Sequence, residues 1–384
     1  MKILIVSSYF PPHVGGVEVV AQQQAGSLTG AGHTVIVGTS RTGAAQAHRE
    51  HHEGYDIVRL PVNNLLERRT GVPYPLIGPA FGRALAALIA WCDVVHVHDV
   101  LYLPPQLATL LAHRAGKPIY VTQHVGRVHH RNRVVLAAAR LSAALARRFI
   151  WDRAHRVVAH NELVADYLGT QGVGAGRLVR APNGIDTVAF APGEPADEQR
   201  TRERLGLPAG VPLVLFVGRL VRQKGYEQLI AAAGAGYHVV LAGTGRPVLP
   251  MPAGVTFLGP VERADLVALY RVADVFVLPA AGEIFPLVVQ EAMACGLPIV
   301  TTPDHRYDAY NLDRGLFPLV EPHPDALRRA IVAILADREL RRRMGEHSRR
   351  FAVENFDWRI NQTALARLYD EQTEEYQCPS VSSS

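Results

Sequence analysis

The chain has 384 residues, more than one domain usually holds, with 48% hydrophobic residues, 20% charged residues and 33 glycines. That balance suits a soluble globular protein of two or three domains and excludes one that is disordered away from its ends. The net charge of +5 is uneven: between His124 and His160 lie eight arginines, no lysine and one acid, Asp152, so this segment carries +7 and the remainder −2.

The opening "KILIV" (2–6) is followed by a pair of prolines and is too short for the core of an export signal, so it reads as a buried strand. Similar β-branched runs recur at 34–38, 56–60, 93–97, 118–122 and 156–160, with helix-length segments between most of them. Near-continuous apolar strands alternating with helices predict a parallel sheet covered on both faces. The pattern restarts at 212–218, 238–243, 255–259, 274–279 and 298–302, which predicts a second α/β sheet. Residues 181–199, rich in proline, glycine and acids, read as a linker leading to a helix near 198–205. Beyond Pro324 the chain is helical, and its last residues, 377–384, are expected to be disordered. The domains are expected at 1–181, joined by a returning helix at 356–376, and at 182–355. No apolar run is long enough to cross a membrane. Cys92, Cys295 and Cys378 lack the spacing of a disulfide framework or zinc site, which suits a reducing cytoplasm.

In open parallel sheets, ligands bind beyond the carboxyl ends of the strands, so residues just after strands carry the most information. "PPHVGGVE" (11–18) follows the first strand, and Gly15 and Gly16 let the backbone approach a ligand, with free helix N–H groups favouring an anion. A plain strand-to-helix turn explains the same residues. "GRLVRQKG" (218–225) places Arg219 and Lys224 five apart in a loop, a planar fork and a point charge suited to a diphosphate, or else two solvated surface charges. "EIFPLVVQE" (283–291) sets Glu283 before a helix that starts near Pro286 or Leu287, and Glu291 inside it. At about 1.5 Å of rise per residue the carboxylates stand on the order of 10 Å apart, with the positive helix end between them. That layout suits a nucleotide sugar: an acceptor for sugar hydroxyls, donors for pyrophosphate, an acceptor for ribose. A capping acid and an exposed helix glutamate give the same letters. His96 and His98 share one side of a strand, but without a third ligand they read as structural, and no Asp-x-Asp triplet signals a metal-dependent site. Cys295 reads as helix packing.

Together these motifs resemble the retaining glycosyltransferases of family 4. The likeness includes "GAGHTVIVGTS" (30–40), "DVVHVHD" (93–99), "VTQHVG" (121–126), "PNGID" (182–186), "LAGTG" (241–245), "AMACG" (292–296) and the closing "FDWRINQTALARLY" (356–369). It implies the GT-B fold: two Rossmann-like, doubly wound α/β domains facing a cleft, with a C-terminal helix crossing back to the first. It further implies that Glu283 meets the donor sugar, Glu291 the ribose, and Arg219 and Lys224 the diphosphate leaving group. The Gly15 and Gly16 loop would line the reaction centre, and His124 would lie beside the transferred sugar. The donor is UDP- or GDP-linked, the acceptor carries a hydroxyl, and no metal or other cofactor is implied.

Two departures stand at the phosphate loop, where family members usually have glycine in place of Ile284 and of Pro286. Proline has no N–H to offer phosphate but suits a helix start, so Phe285 and Leu287 are expected to do that binding. The departures keep open a non-catalytic sugar-nucleotide or glycan binder, and a nucleotide-sugar epimerase of related fold. A nicotinamide enzyme is disfavoured, because "GTGRPV" (243–248) lacks the last glycine of Gly-x-Gly-x-x-Gly. Acceptor specificity is expected in the loops 41–56 and 61–75. The basic segment 127–156 is expected to be either a solvated face or a peripheral contact with anionic lipid at the inner face of the membrane. No nucleic-acid partner is expected.

Overall fold

The computed structural model describes the chain outside residues 14, 44, 66–73, 127–132, 195–197, 235, 248–250, 361, 362, 364, 366, 367 and 370–384, and outside the side chains of 133–136, 138, 139, 145 and 148. The tail 377–384, much of the loop 61–75 and the start of the basic segment thus lie outside the described residues. The chain forms two units: one comprises Met1–Asn183 with Asn361–Ser384, the other Gly184–Ile360.

The first unit is built on a nine-stranded sheet. Its strands are β1 (Lys2–Ser7), β2 (Thr34–Arg41), β3 (Arg49–His52), β4 (Tyr55–Asn63), β5 (Leu76–Ile77), β6 (Val94–His98), β7 (Ile119–Gln123), β8 (Arg156–Ala159) and β9 (Leu178–Arg180). The order is β3-β4-β2-β1-β6-β7-β8-β9, with β5 on β4, and only β3 and β5 run antiparallel to their neighbour. Because side chains alternate along a strand, Leu4 and Val6 enter one core with Phe81, Leu85 and Trp151. Ile3 and Ile5 enter the opposite core with Ala21, Leu28 and Tyr369. The loop expected over 41–56 contains β3, whose letters Arg-Glu-His-His carry no apolar alternation; the pairing with β4 makes it a strand.

The second unit has five parallel strands, β10 (Leu213–Val217), β11 (His238–Ala242), β12 (Val255–Gly259), β13 (Val275–Leu278) and β14 (Ile299–Thr301), in the order β12-β11-β10-β13-β14. Strand order reverses between β1 and β6 in one unit and between β10 and β13 in the other. The loops after these four strands are where a ligand finds open backbone.

The linker is fixed to the second unit by its own backbone. Ile185 N donates to Phe356 O at 2.8 Å and Trp358 N to Ile185 O at 2.9 Å. Arg349 Nη1 reaches the carbonyls of Thr187, Phe190 and Ala294 at 2.8–2.9 Å. Asp357, bonded to Arg359 and Thr187, has its carboxyl held far below the usual range, chiefly by the Arg359 hydrogen bond. A Cβ on Gly184 would stand 2.5 Å from Trp358 Cα, so only glycine lets the strands pass this closely. Gly184→Ala is expected to lower stability by about 1–3 kcal/mol, read by urea unfolding. Gly176→Ala, with open space around it, should be near neutral.

Candidate active site

In the second unit the loops after β10 and β13 lie against each other. Gly225 has φ +68, a left-handed conformation, and a Cβ there would stand 2.1 Å from the carbonyl oxygen of Pro279. Both facts require glycine. Ala281 N donates to Gln223 O at 3.2 Å, and Lys224 Nζ meets Glu283 Oε2 at 2.6 Å. Their side chains are 14% and 31% exposed, so the pair is worth more than the about 0.2–1 kcal/mol of a fully solvated one. Arg219, just after β10, is exposed, and its side chain has no partner among the described residues.

After β13 the backbone turns through Phe285, whose φ of +45 is unusual for a side chain of its size. Holding it there costs on the order of 1–3 kcal/mol. Its ring packs on Tyr307, Tyr310, Phe317, Phe351 and Phe356, and its carbonyl accepts from Gln290 Nε2 at 2.7 Å. The Phe285 side chain is therefore core. Pro286 is the N-cap of the helix Leu287–Ala294, which has no side-chain cap and no acid in its first turn. Val289 N already bonds Pro286 O at 2.8 Å, leaving the amides of Leu287 and Val288 for an anion.

Glu291 lies inside that helix and is positioned by Tyr270, whose hydroxyl donates to its Oε2 at 2.9 Å and reaches Val288 O at 3.2 Å. Burial pushes the Glu291 carboxyl up to about 7, against smaller opposing effects of the Tyr270 bond and the Arg263 charge. Sequence reasoning missed Tyr270, which comes from the helix Arg263–Val272. Cys295 is buried, its thiol pushed up to about 12, as befits packing.

In the first unit Gly15 and Gly16 open the helix α1 (Gly16–Gly30), as the sequence predicts. The anion at this helix end is the chain's own: a Cβ on Gly15 would stand 2.2 Å from Glu18 Oε2, and Glu18 Oε1 bonds His13 Nδ1 at 2.7 Å. A ligand anion arriving there would meet a carboxylate, so the open helix end expected from the sequence is modified by Glu18. His124 follows β7, shares a 2.9 Å hydrogen bond with His98 and stacks on its ring, with the His160 ring tilted against it. Burial drives all three imidazoles below their ordinary range, so His124 is neutral and offers hydrogen bonds, not charge. His96 bonds Thr122 at 2.7 Å and the Tyr369 hydroxyl, a structural role. Among the described residues, no group of His, Cys, Asp or Glu is placed to hold a metal ion. Asp99, with φ +56, accepts from Leu101 N and Gln123 Nε2 at 3.0 Å through Oδ1 while its buried Oδ2 has no partner. Burial raises its carboxyl to about 6. It stands directly after β6, at the reversal of strand order, the sequence position that could have marked it.

The structure thus gathers Lys224, Glu283, Phe285, Leu287 and Glu291 at one end of the second sheet. It places Gly15, Gly16 and His124 at the corresponding strand ends of the first. Residues 197–351 match the family described as Glycosyl transferases group 1, and residues 14–189 match Glycosyltransferase Family 4. The chain is similar to a D-inositol 3-phosphate glycosyltransferase of Xylanimonas cellulosilytica, 33% identical over 320 residues that cover 74% of this chain and 73% of that one. It is similar also to a GDP-mannose-dependent alpha-(1-6)-phosphatidylinositol monomannoside mannosyltransferase of Mycolicibacterium smegmatis, 28% identical over 391 residues covering 95% and 97%. Sucrose-phosphate synthase from Thermosynechococcus elongatus shares the fold, with a TM-score of 0.78 at 24% identity over 97% of this chain and 99% of that one. Two Rossmann-like units with this strand order have the GT-B fold, and the sequence matches make the chain a glycosyltransferase. This chain belongs to glycosyltransferase family 4.

The raised Glu291 carboxyl has a signed consequence. Between about 4.5, its ordinary value, and about 7 the native state keeps a proton that the unfolded chain has lost, so stability falls as pH rises through that window. Glu291→Gln removes this loss. Its unfolding free energy in urea, relative to the parent, is expected to improve from pH 4 to pH 8 by about 1–3 kcal/mol.

Proposed function

We propose that this chain is a retaining transferase that moves a sugar from a UDP- or GDP-linked donor to a hydroxyl of an acceptor. The observation that supports it most is the Lys224–Glu283 pair beside two uncapped helix amides, those of Leu287 and Val288. A diphosphate seated on those amides draws Lys224 and Arg219 to itself and releases Glu283 to the sugar hydroxyls. Glu291, held by Tyr270, takes the ribose. As the bond from the anomeric carbon to the diphosphate oxygen breaks, charge grows on the leaving group where these donors already stand. The acceptor oxygen attacks from the same face, and its proton passes to the departing phosphate, so configuration is retained without a protein nucleophile. His124, neutral, lies beside the transferred sugar as a hydrogen-bond partner. The reading calls on the donor as substrate and on no further cofactor.

On the same reading the protein works in the cytoplasm at an anionic membrane face. No helix among the described residues is long and apolar enough to cross a bilayer. The helix Arg133–Phe149 exposes Leu141 (62%) and Phe149 (41%) beside exposed Arg140 and Arg147. Each basic residue at an anionic surface adds roughly 1 kcal/mol.

Glu283→Ala and Glu291→Ala should fail differently. Loss of Glu291 weakens bare nucleoside diphosphate and whole donor alike, which appears in the Michaelis constant. Loss of Glu283 lowers turnover and spares the bare nucleotide. Each change should cost about 1.5–3 kcal/mol, or roughly one to two decades, in calorimetry with UDP and GDP and in steady-state kinetics. Equal loss of diphosphate affinity in both variants would contradict the assignment. Sedimentation with anionic liposomes should carry the protein down at low salt and release it at high salt; no binding at low salt ends the membrane contact.

A further inference from the structure

Arg59 stands in the middle of strand β4 between the buried Ile57, Val58 and Leu60, and the structure buries it to 2% exposure. It lines a cavity of about 470 Å³ within the first unit, closed by Phe10, Pro11, Pro12 and Ile57, and edged by Gln22, Gln46, Glu50 and His52. Arg59 Nη2 donates to Pro11 O at 2.8 Å and to Glu50 Oε1 at 2.5 Å. Nε and Nη1 have no partner among the described residues, yet these two atoms hold three of the five guanidinium N–H donors. A buried cation normally has its donors satisfied, because an unpaired one loses its hydration without return. Glu50 offers only partial relief, being 38% exposed. Thr39, opposite Arg59 in the register of β2 and β4, leaves its buried hydroxyl unpaired too. Gln46 commits its side-chain oxygen to the amides of Thr42 and Gly43, at 2.9 and 3.0 Å, which keeps its NH2 group as a further donor.

A fixed guanidinium with unmet donors in the wall of a cavity, with the Gln46 amide beside it, calls for an oxyanion. Its wall includes Pro11 and Pro12, the residues that lead from β1 to Gly15 and Gly16. We propose that this cavity holds an acidic group of the acceptor, a phosphate ester or a carboxylate, and so restricts the enzyme to acidic acceptors. The acceptor role rests on the transferase reading; the anion site does not.

Calorimetric titration of the full chain with inorganic phosphate, and separately with acetate, tests the site. Phosphate should bind the parent once. Glu50→Gln should tighten it about tenfold, because the carboxylate that repels the anion and competes for Nη2 is gone. Arg59→Gln should abolish it while nucleoside diphosphate binding persists, which also reports that the chain is folded. Should Arg59→Gln fail to fold, Glu50→Gln decides, since an ion pair of structural use alone would give no gain. No heat with either anion in parent and Glu50→Gln, or unchanged affinity in folded Arg59→Gln, overturns the site. Hydroxyl compounds are then tried as acceptors with and without a phosphate or carboxylate. Acidic members should be used and neutral ones not, and phosphate should inhibit that transfer while leaving hydrolysis of the donor by water unchanged. Equal use of neutral members overturns the acceptor role. Donor turnover without anion binding sinks this inference alone, whereas anion binding without any donor turnover sinks the transferase reading and the acceptor role with it.

Discussion

The candidate site of the second unit depends on one close approach: the backbone at Gly225 against the carbonyl of Pro279. A side chain there would push the loops after β10 and β13 apart, and the 2.6 Å contact of Lys224 with Glu283 would go with them. The approach exists because β10 and β13 pair side by side where the strand order reverses, so the loops that follow them are neighbours. Loop residues 59 positions apart thereby become one charged pair. Gly243 repeats the device one strand further out, where a Cβ would stand 2.1 Å from the Gly218 carbonyl.

Burial then sorts the titratable groups near the strand ends by charge. Imidazoles lose theirs: His98 and His124 are driven well below their ordinary range, and His160 to about 4. Carboxyls hold on to protons, Asp99 up to about 6 and Glu291 up to about 7. Among the charged residues that follow the second sheet's strands are Arg219, Lys224 and Glu283, in the loops after β10 and β13. A site that keeps its cations for the leaving group and neutralises its surroundings favours charge that appears late in the reaction.

Much of the fold was legible because its strands are short apolar runs between helices, and runs of that kind need no partner to be recognised. Strand β3 escaped, being Arg-Glu-His-His on a sheet edge, with only its pairing to β4 to define it. At the donor site the residue types and spacing pointed to Lys224, Glu283 and Glu291, and the helix start fell at Pro286 and Leu287 as the proline suggested. Their contacts were not legible. Tyr270 reaches Glu291 from another helix, and the inward turn of Phe285 follows from a positive φ that no letter announces. Arg59 did carry a mark, a charge set between the apolar Ile57, Val58 and Leu60, but its unmet donors appear only once the cavity is seen.

The central claim is that Lys224 waits on Glu283 and crosses to the diphosphate when the donor arrives. A crystal structure with nucleoside diphosphate bound tests it most directly. The account predicts phosphate oxygens within about 3 Å of the Leu287 and Val288 amides and of Lys224 Nζ, with Nζ withdrawn from Glu283. A diphosphate bound elsewhere, with the Lys224–Glu283 pair intact and those amides unused, would contradict it.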